Sequence, residues 1–262
     1  MLSPLADALE GVVREAGVLA RKAFGTRVRT WVKEQNSPVS EVDIAVNRLL
    51  RERLNAILPG AGWLSEESED DPARLDASRV WIVDPIDGTR SFINGRPDWT
   101  ISVALVEARR PVVAALFAPV SGEFFRAAAG AGATCIGTPI AATLGDDIAG
   151  ARVAGPKGLL DHLAAVAPAF TIPPRIHSLA LRLARVADGT LDAAFASSSS
   201  HDWDLAAADL LVHEAGGALT TLGGIKLAYN GASTVHDTLV AAGLVRHQTL
   251  TDLLGNRPLS LH

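Results

Sequence analysis

The sequence predicts a mixed α/β protein of the α+β kind, in which helices pack on an antiparallel sheet. Two N-terminal segments, residues 4–24 and 42–58, repeat apolar residues at helical spacing. Residues 79–129 change to strand texture, with four apolar runs separated by turn residues. The break "EARRP" between two of these runs predicts a hairpin, and strands joined by a hairpin are antiparallel.

The N-terminal elements follow from local signals. Pro4 suits the first turn of the first helix. The second helix begins at the capping-box-like sequence "SEVD", residues 40–43, and ends before Pro59-Gly60. An acidic stretch, residues 66–71, separates this helix from the strands. The strands are the runs "RVWIVD", "WTISVALVEA", "PVVAALFAPV" and "GEFFRAAA".

The C-terminal elements are shorter. Residues 178–188 predict an amphipathic helix that ends at Gly189, and "DLAAADLLVHEAGG" predicts a helix that its glycines end. "LDHLAAVA" predicts another helix, and "SSSSHD" a loop. The predicted strands are "ARVAG", "FTI", "LDAAFA", "GALTTLGG" and "DTLVAAG". A composition shift near residues 141–150 divides the chain into an N-terminal α+β lobe, residues 1–147, and a C-terminal α/β lobe, residues 148–262.

Composition and charge narrow the possible partners. The 262 residues carry a net charge of −5, which gives no electrostatic footprint for nucleic acid. No apolar run approaches the length of a membrane span, and charges interrupt the N-terminal segment where a signal peptide would be apolar. Cys135 is the only cysteine, so no internal disulfide is possible. We therefore expect a cytoplasmic protein with neither a nucleic-acid nor a membrane partner.

The stretch "WIVDPIDGTRSF", residues 81–92, places Asp84 and Asp87 at the end of a strand. Aspartates in turns often cap backbone amides, and the local pattern leaves that interpretation open beside a cation site. Pro85 has no N–H, so the carbonyls around it are available to a hard cation, and Gly88 allows close approach of an anion. Thr89 could open a helix whose free amides favour phosphate. Oxygen ligands without His or Cys favour Mg²⁺.

Two more carboxylates, those of Glu66 and Asp204, lie at positions where each could contribute to the same cation site. Glu66 follows the apolar residues Trp63 and Leu64, so it could be anchored while the later acids of its run stay in solvent. The alternative is a solvated acidic loop throughout. Asp204 lies just before a predicted helix, where its alternative role is that of an N-cap.

Three motifs together resemble one family. "WLSEES", "DPIDGTRSF" and "WDLAAADLLVHEAGG", in this order and at wide spacing, closely resemble the inositol monophosphatase family of metal-dependent phosphatases. "SPVSEVD" before the first motif belongs to the same resemblance, which covers residues 33–217. The resemblance implies a layered αβαβα sugar-phosphatase-type fold, with a large antiparallel sheet and a second, smaller sheet.

The resemblance also implies roles for matching positions. Two or three Mg²⁺ ions between the lobes would be bound by Glu66, Asp84, the Ile86 carbonyl, Asp87 and Asp204. Gly88 and Thr89 would bind the phosphate through backbone amides. In the catalytic set of Glu66, Thr89 and Asp43, the first two would orient an attacking water, and Asp43 would lie near the weakest metal. Lys33 resembles a family lysine near the site.

The expected function is hydrolysis of a small phosphate ester, such as an inositol-1-phosphate-like polyol or sugar phosphate. The alternatives are a 3′(2′),5′-bisphosphate nucleotidase, a histidinol-phosphate phosphatase and, in another class, a regulatory protein-binding scaffold. Ser197 lies at the position where inositol-specific members of the family commonly have a glutamate. Asp202 lies at the position, just before Trp203, where the family commonly has a cysteine. The family also suggests lithium inhibition and a homodimer.

The candidate substrate contacts are Asp87, Asp204, Arg182 and His201. Arg182 could meet a second phosphate of the substrate or lie on the solvated face of its helix. His201 could contact substrate or lie in a polar loop.

Overall fold

The computed structural model describes residues 2–33 and 38–255. Ser37, the first residue of the "SPVSEVD" motif, lies outside these residues. The helices are α1 (Leu2–Ala23), α2 (Glu41–Ile57), α3 (Thr89–Ile93), α4 (Lys157–Ala164), α5 (Leu179–Ala187), α6 (Asp202–Glu214) and α7 (Leu244–Leu254), with a 3₁₀ helix at Pro72–Asp76.

The large sheet has seven strands, which lie in chain order. They are β3 (Gly62–Ser65), β4 (Arg79–Asp87), β5 (Thr100–Glu107), β6 (Arg110–Ala118), β7 (Glu123–Ala128), β8 (Ala133–Cys135) and β9 (Thr138–Pro139). All neighbours are antiparallel except β3 and β4, which are parallel, so the predicted antiparallel sheet is mixed at one edge. The hairpin predicted at "EARRP" joins β5 to β6, with Ala108 and Arg109 at positive φ.

The second sheet has four strands: β10 (Val153–Ala154), β11 (Ala193–Ala196), β13 (Gly217–Thr221) and β15 (Leu239–Gly243). They lie in the order β10-β11-β15-β13. Two small ribbons complete the described strands: β1 (Thr30–Val32) with β2 (Pro38–Ser40), and β12 (Ser200–His201) with β14 (Val235–His236).

The core consists of three apolar clusters that alternate with the sheets. The first lies between α1, α2 and the large sheet, and includes Trp81. The second lies between the large sheet, α5, α6 and the small sheet, and includes Ile82. The third lies between the small sheet and α4 and α7. Because successive strand residues face opposite sides, Trp81 and Ile82 fill different clusters. The predicted αβαβα layering is therefore confirmed.

The predicted start of α2 is also confirmed. The Val42 amide donates to Ser40 Oγ, and the Ser40 amide donates to Asp43 Oδ2, which together form a capping box. No helix in the described part of the chain is long and apolar enough to cross a membrane.

Two predicted elements differ from the structure, and one helix was not predicted. "FTI" contributes only a single bridge, between Thr171 and Arg152. The predicted loop "SSSSHD" contains the strand β12. Helix α7 follows β15 directly, and its apolar residues lack a clear helical stripe, so the sequence pattern did not predict it.

Candidate active site

A β-bulge at the end of β4 presents the two aspartates of the "DPIDG" motif. Asp84 pairs with Ser102 and Asp87 pairs with Thr100, so two residues of β4 lie opposite one of β5. Pro85 lies in this bulge, where its missing N–H costs no ladder hydrogen bond. The Ile86 amide donates to Asp84 Oδ1 over 3.0 Å. Both carboxylates are buried, with Asp84 2% and Asp87 6% exposed.

Asp204 reaches the same place from helix α6. It is the third residue of this helix rather than the residue before it, because His201 is the N-cap. The His201 amide donates to Asp204 Oδ2 over 2.6 Å, which fixes one carboxylate oxygen. Oxygens of Asp84, Asp87 and Asp204 all lie within 4.8 Å of one another. We call these three residues the acidic triad.

Helix α5 supports the triad through Asp87. Ser178 is the N-cap of α5, and its hydroxyl donates to Asp87 Oδ2 over 2.5 Å. The amides of Ala180 and Leu179 donate to the same carboxylate over 2.7 Å and 3.2 Å. Free amides at a helix N-terminus favour negative charge, so α5 stabilises this carboxylate as an anion.

The three carboxylates of the triad nevertheless lack enough neighbouring positive charge to balance them, and their pKa values are raised as a result. Burial and the charges of Glu66, Asp87 and Asp204 raise the pKa of Asp84 well above its usual range. Burial raises the pKa of Asp87 to about 6, against the lowering effect of its hydrogen bonds from α5. Burial and the charge of Asp87 raise the pKa of Asp204 well above its usual range. Among the described residues, no lysine or arginine forms an ion pair with these three carboxylates.

The missing positive charge beside these carboxylates indicates a site for a hard divalent cation. Buried carboxylates of like charge destabilise one another unless a cation lies among them. Three convergent carboxylates without a nearby thiolate or imidazole in the cluster are the donor set that Mg²⁺ prefers. The residues present therefore fit the metal that the sequence predicts.

Glu66 lies beside the triad but outside the cluster of convergent oxygens. Its carboxylate is 3.3 Å from Lys33 Nζ, which also pairs with Glu67 Oε1 over 2.6 Å. Burial raises the pKa of Glu67 to about 7, against the lowering effect of Lys33. Glu67 is a buried acid that the sequence pattern did not single out, because it stands within a run of acids that resembles a solvated loop.

Gly88 and Thr89 form the turn that follows β4, the strand that carries Asp84 and Asp87. Gly88 has φ of +94°, and a Cβ there would lie 3.0 Å from the Asp98 carbonyl oxygen. Only glycine is therefore accommodated without strain. Thr89 begins α3, and its Oγ1 lies 3.0 Å from both Asp43 Oδ1 and the Ile86 carbonyl oxygen. Asp43 and Ile86 are thus brought to the same turn.

A cavity of about 730 Å³ opens beside the triad, with Asp204 in its wall. Arg182, Arg175 and His177 line it, together with serines of the "SSSS" segment. The side chain of His201 is not in this wall; it stacks on Trp203 at 4.5 Å, and its Nδ1 lies 3.0 Å from Thr234 Oγ1. The structure therefore brings Arg182 to the cavity and directs His201 elsewhere.

The match to a family model and the similarity to known proteins indicate the same family. The model of the inositol monophosphatase family matches residues 1–254. The 3′(2′),5′-bisphosphate nucleotidase CysQ of Aggregatibacter actinomycetemcomitans is 30% identical over 243 residues, which cover 86% of this chain and 87% of that protein. The histidinol-phosphatase of Mycobacterium tuberculosis is 32% identical over 258 residues, which cover 91% of this chain and 93% of that protein.

A solved structure agrees with this result. The extragenic suppressor protein suhB from Bartonella henselae superposes with a TM-score of 0.86 at 25% identity, covering 98% of this chain and 100% of that one. The family match spans nearly the whole chain, and the relatives are named as phosphatases. The chain therefore belongs to the inositol monophosphatase family and is a phosphatase.

Proposed function

We propose that this protein is a Mg²⁺-dependent phosphomonoesterase that hydrolyses a small phosphate ester. The observation that carries the proposal is the acidic triad. Its carboxylates, two buried and that of Asp204 partly buried, have no lysine or arginine ion-pair partner among the described residues and lie beside a cavity of substrate size. A phosphate ester is an anion, so its entry next to these acids requires positive charge between them.

The residues that would hold Mg²⁺ are Glu66, Asp84, Asp87, Asp204 and the carbonyl of Ile86. Bound Mg²⁺ would neutralise the phosphate and lower the pKa of water. The backbone amides of Gly88 and Thr89 would bind the phosphate oxygens, because they belong to the turn that opens α3. The short helix keeps these donors fixed, so they need no rearrangement during the reaction.

Thr89 and Glu66 would orient the attacking water. The single hydroxyl proton of Thr89 has two acceptors at 3.0 Å, one of them the Asp43 carboxylate. The hydroxyl oxygen then keeps a lone pair for a hydrogen of the water. Asp43 is itself held by the Ser40 amide and hydroxyl, so its role is to fix the Thr89 hydroxyl. In this scheme, no side chain of the protein becomes phosphorylated.

The substrate candidates are an inositol-1-phosphate-like polyol or sugar phosphate, a bisphosphorylated nucleotide and histidinol phosphate. Ser197 lines the cavity at the position where a carboxylate would bind a polyol, which weakens the case for strict inositol specificity. The names of the CysQ and histidinol-phosphatase relatives support keeping the other two candidates.

We further propose two lobes, residues 1–147 and 148–262, which contribute to one site. We also propose a cytoplasmic homodimer inhibited by lithium. A regulatory protein-binding scaffold is the alternative from another class. The full set of acids supports catalysis instead, because a scaffold that only binds protein would have no need to keep like charges buried together.

A phosphate-release screen tests the proposed function. The purified protein is assayed with inositol-1-phosphate, histidinol phosphate, sugar phosphates and adenosine 3′,5′-bisphosphate, in Mg²⁺, in EDTA, and in Mg²⁺ with lithium. We expect release only with Mg²⁺, and loss of release in Asp87→Asn. No release from any ester, together with capture of a specific protein from lysate, would favour the scaffold.

A further inference from the structure

Another cavity, of about 500 Å³, lies between helix α2 and strands β3 and β4 at the edge of the large sheet. The lining side chains that can bind a ligand are Arg48, Arg51, Glu52 and Asn55 of α2, Trp63 of β3 and Trp81 of β4. This cavity shares no lining residue with the one beside the acidic triad, so it is a separate site. We call it the α2 cavity.

Trp81 contributes an unpaired hydrogen-bond donor to the α2 cavity. Its side chain is 1% exposed, and its Nε1 has no hydrogen-bond partner in the described structure. A buried indole N–H normally has an acceptor, because burying it without one costs the hydrogen bond that it makes with water. The remaining surroundings of Trp81 are the apolar cluster between α1, α2 and the large sheet. An acceptor for this N–H would therefore come from the cavity.

The α2 side of this cavity is positively charged. Arg48, Arg51 and Asn55 follow one another at spacings of three and four residues, which places them on one face of the helix. Both arginines are exposed, and neither forms an ion pair with a carboxylate of the described residues. Glu52 lines the same cavity, but its carboxylate pairs with Arg53 over 3.1 Å. The cavity is therefore suited to an anion.

Trp63 forms a flat wall whose orientation is fixed by hydrogen bonds. Its Nε1 donates to Ser68 Oγ over 3.0 Å, and Asn47 Nδ2 donates to the same hydroxyl oxygen over 3.0 Å. The Arg51 guanidinium carbon lies 5.9 Å from the centre of the Trp63 ring. A ligand therefore meets an aromatic surface beside a cation, and this surface needs little ordering on binding.

We propose that the α2 cavity binds a small organic anion with a flat apolar body. The carboxylate or phosphate group of this ligand would accept a hydrogen bond from the Trp81 indole N–H. Arg48 and Arg51 would balance its charge, since a guanidinium pairs with either group through parallel N–H bonds. Its body would contact the Trp63 ring. This site lies outside the proposed active site, and binding there requires neither Mg²⁺ nor phosphate release.

The NMR signals of the tryptophan indole N–H groups test this site directly. The ¹⁵N-labelled protein, in EDTA, is titrated with benzoate, with phenyl phosphate and with benzamide, the neutral counterpart of benzoate. Trp81→Phe identifies the Trp81 signal. We expect the anions to shift this signal with a Kd of about 1 mM for the tighter one, and benzamide to bind about tenfold more weakly. The tighter anion identifies the charged group as carboxylate or phosphate.

Controls connect the shift to this cavity. Trp99 is also fully buried with an unpaired Nε1, but it does not line the α2 cavity, so its signal should not move. The double variant Arg48→Gln/Arg51→Gln changes exposed residues and should raise the Kd of the tighter anion about tenfold. Arg27→Gln is the matched control, because Arg27 is exposed and lies outside this cavity. Its Kd should equal that of the wild type.

Three results would overturn the proposed anion site. The first is a Trp81 signal that does not move at about 20 mM of either anion, which would leave water as the partner of the indole N–H. The second is an equal Kd for benzamide and the tighter anion. The third is an unchanged Kd in the double variant. None of these measurements depends on phosphate release, so the proposed function is tested separately.

Discussion

Ser178 Oγ lies 2.5 Å from Asp87 Oδ2, and this hydrogen bond ties the start of α5 to the end of β4. The same hydroxyl accepts from the Leu181 amide over 3.0 Å, so one side chain caps a helix and orients an acid of the triad. The layers of helix and sheet are therefore linked directly at the candidate metal site.

Ser178→Ala should destabilise the protein by about 1–3 kcal/mol. It removes the N-cap of α5 and leaves a buried carboxylate with one donor fewer. Urea unfolding in EDTA measures this change. Ser199→Ala, in an exposed part of the "SSSS" segment, is the control and should stay within about 0.5 kcal/mol of the wild type. Equal stability of Ser178→Ala and the wild type would contradict the role given to Ser178.

Asp84→Asn should stabilise the protein in EDTA by on the order of 1–2 kcal/mol. Burial and neighbouring acids raise the pKa of Asp84, so its ionised form is unfavourable in the folded protein at neutral pH. The asparagine oxygen can still accept from the Ile86 amide. Thermal melts with and without Mg²⁺ measure the effect, and the variant should lose the stabilisation that Mg²⁺ gives the wild type. A lower melting temperature in EDTA would contradict this prediction.

Gly88→Ala should lower both stability and phosphate release. Its φ of +94° is unfavourable for alanine, and the new Cβ would meet the Asp98 carbonyl at 3.0 Å. Gly95→Ala is a matched control, since Gly95 also has positive φ, +68°, but open space around it. The control should cost about 1 kcal/mol with little effect on turnover. We expect Gly88→Ala to lose at least tenfold in kcat/KM; equal turnover in the two variants would argue against close packing at the phosphate turn.

Asp192 should stabilise the fold at neutral pH and lose this effect in acid. Burial opposes its ionisation, but hydrogen bonds from Arg152 lower the pKa of Asp192 from 3.8 to about 2. Because the folded protein binds this proton more weakly than the unfolded chain, the stabilisation is complete above about pH 5. It is lost as the pH falls below 3.8 and through the folded pKa of about 2. Asp192→Asn should cost on the order of 1 kcal/mol at pH 7, given the solvent around Arg152. Urea unfolding at pH 7 and pH 2.5 measures it, and a cost that does not shrink in acid would contradict the assignment.

Much of the fold was predictable because its signals are local. Helical periodicity, the capping box at Ser40 and the hairpin at Ala108-Arg109 are each contained in a few residues. The parallel pairing of β3 with β4 was not, because β3 has four residues and its partner is set by tertiary packing. Helix α7 lacked a one-sided apolar stripe, which is the signal that predicts a surface helix.

The candidate site likewise has parts that the sequence motifs predicted and parts that depend on tertiary packing. The motifs pointed to Asp84, Asp87 and Asp204, but no pattern in the sequence measures the burial that makes their charges so unfavourable. Ser178 was visible only as the start of a helix, while its bond to Asp87 joins residues 91 positions apart. The burial of Arg182 was not predictable for a similar reason. Amphipathic spacing predicts which residues share a face of a helix, but not which other parts of the chain cover that face.

The most direct test of the central claim is anomalous diffraction from crystals of this protein soaked with Mn²⁺ in place of Mg²⁺. We expect an anomalous peak at bonding distance from carboxylate oxygens of Asp84, Asp87 and Asp204, and no such peak in crystals of Asp87→Asn. A wild-type map without a peak among these three residues at saturating Mn²⁺ would contradict it.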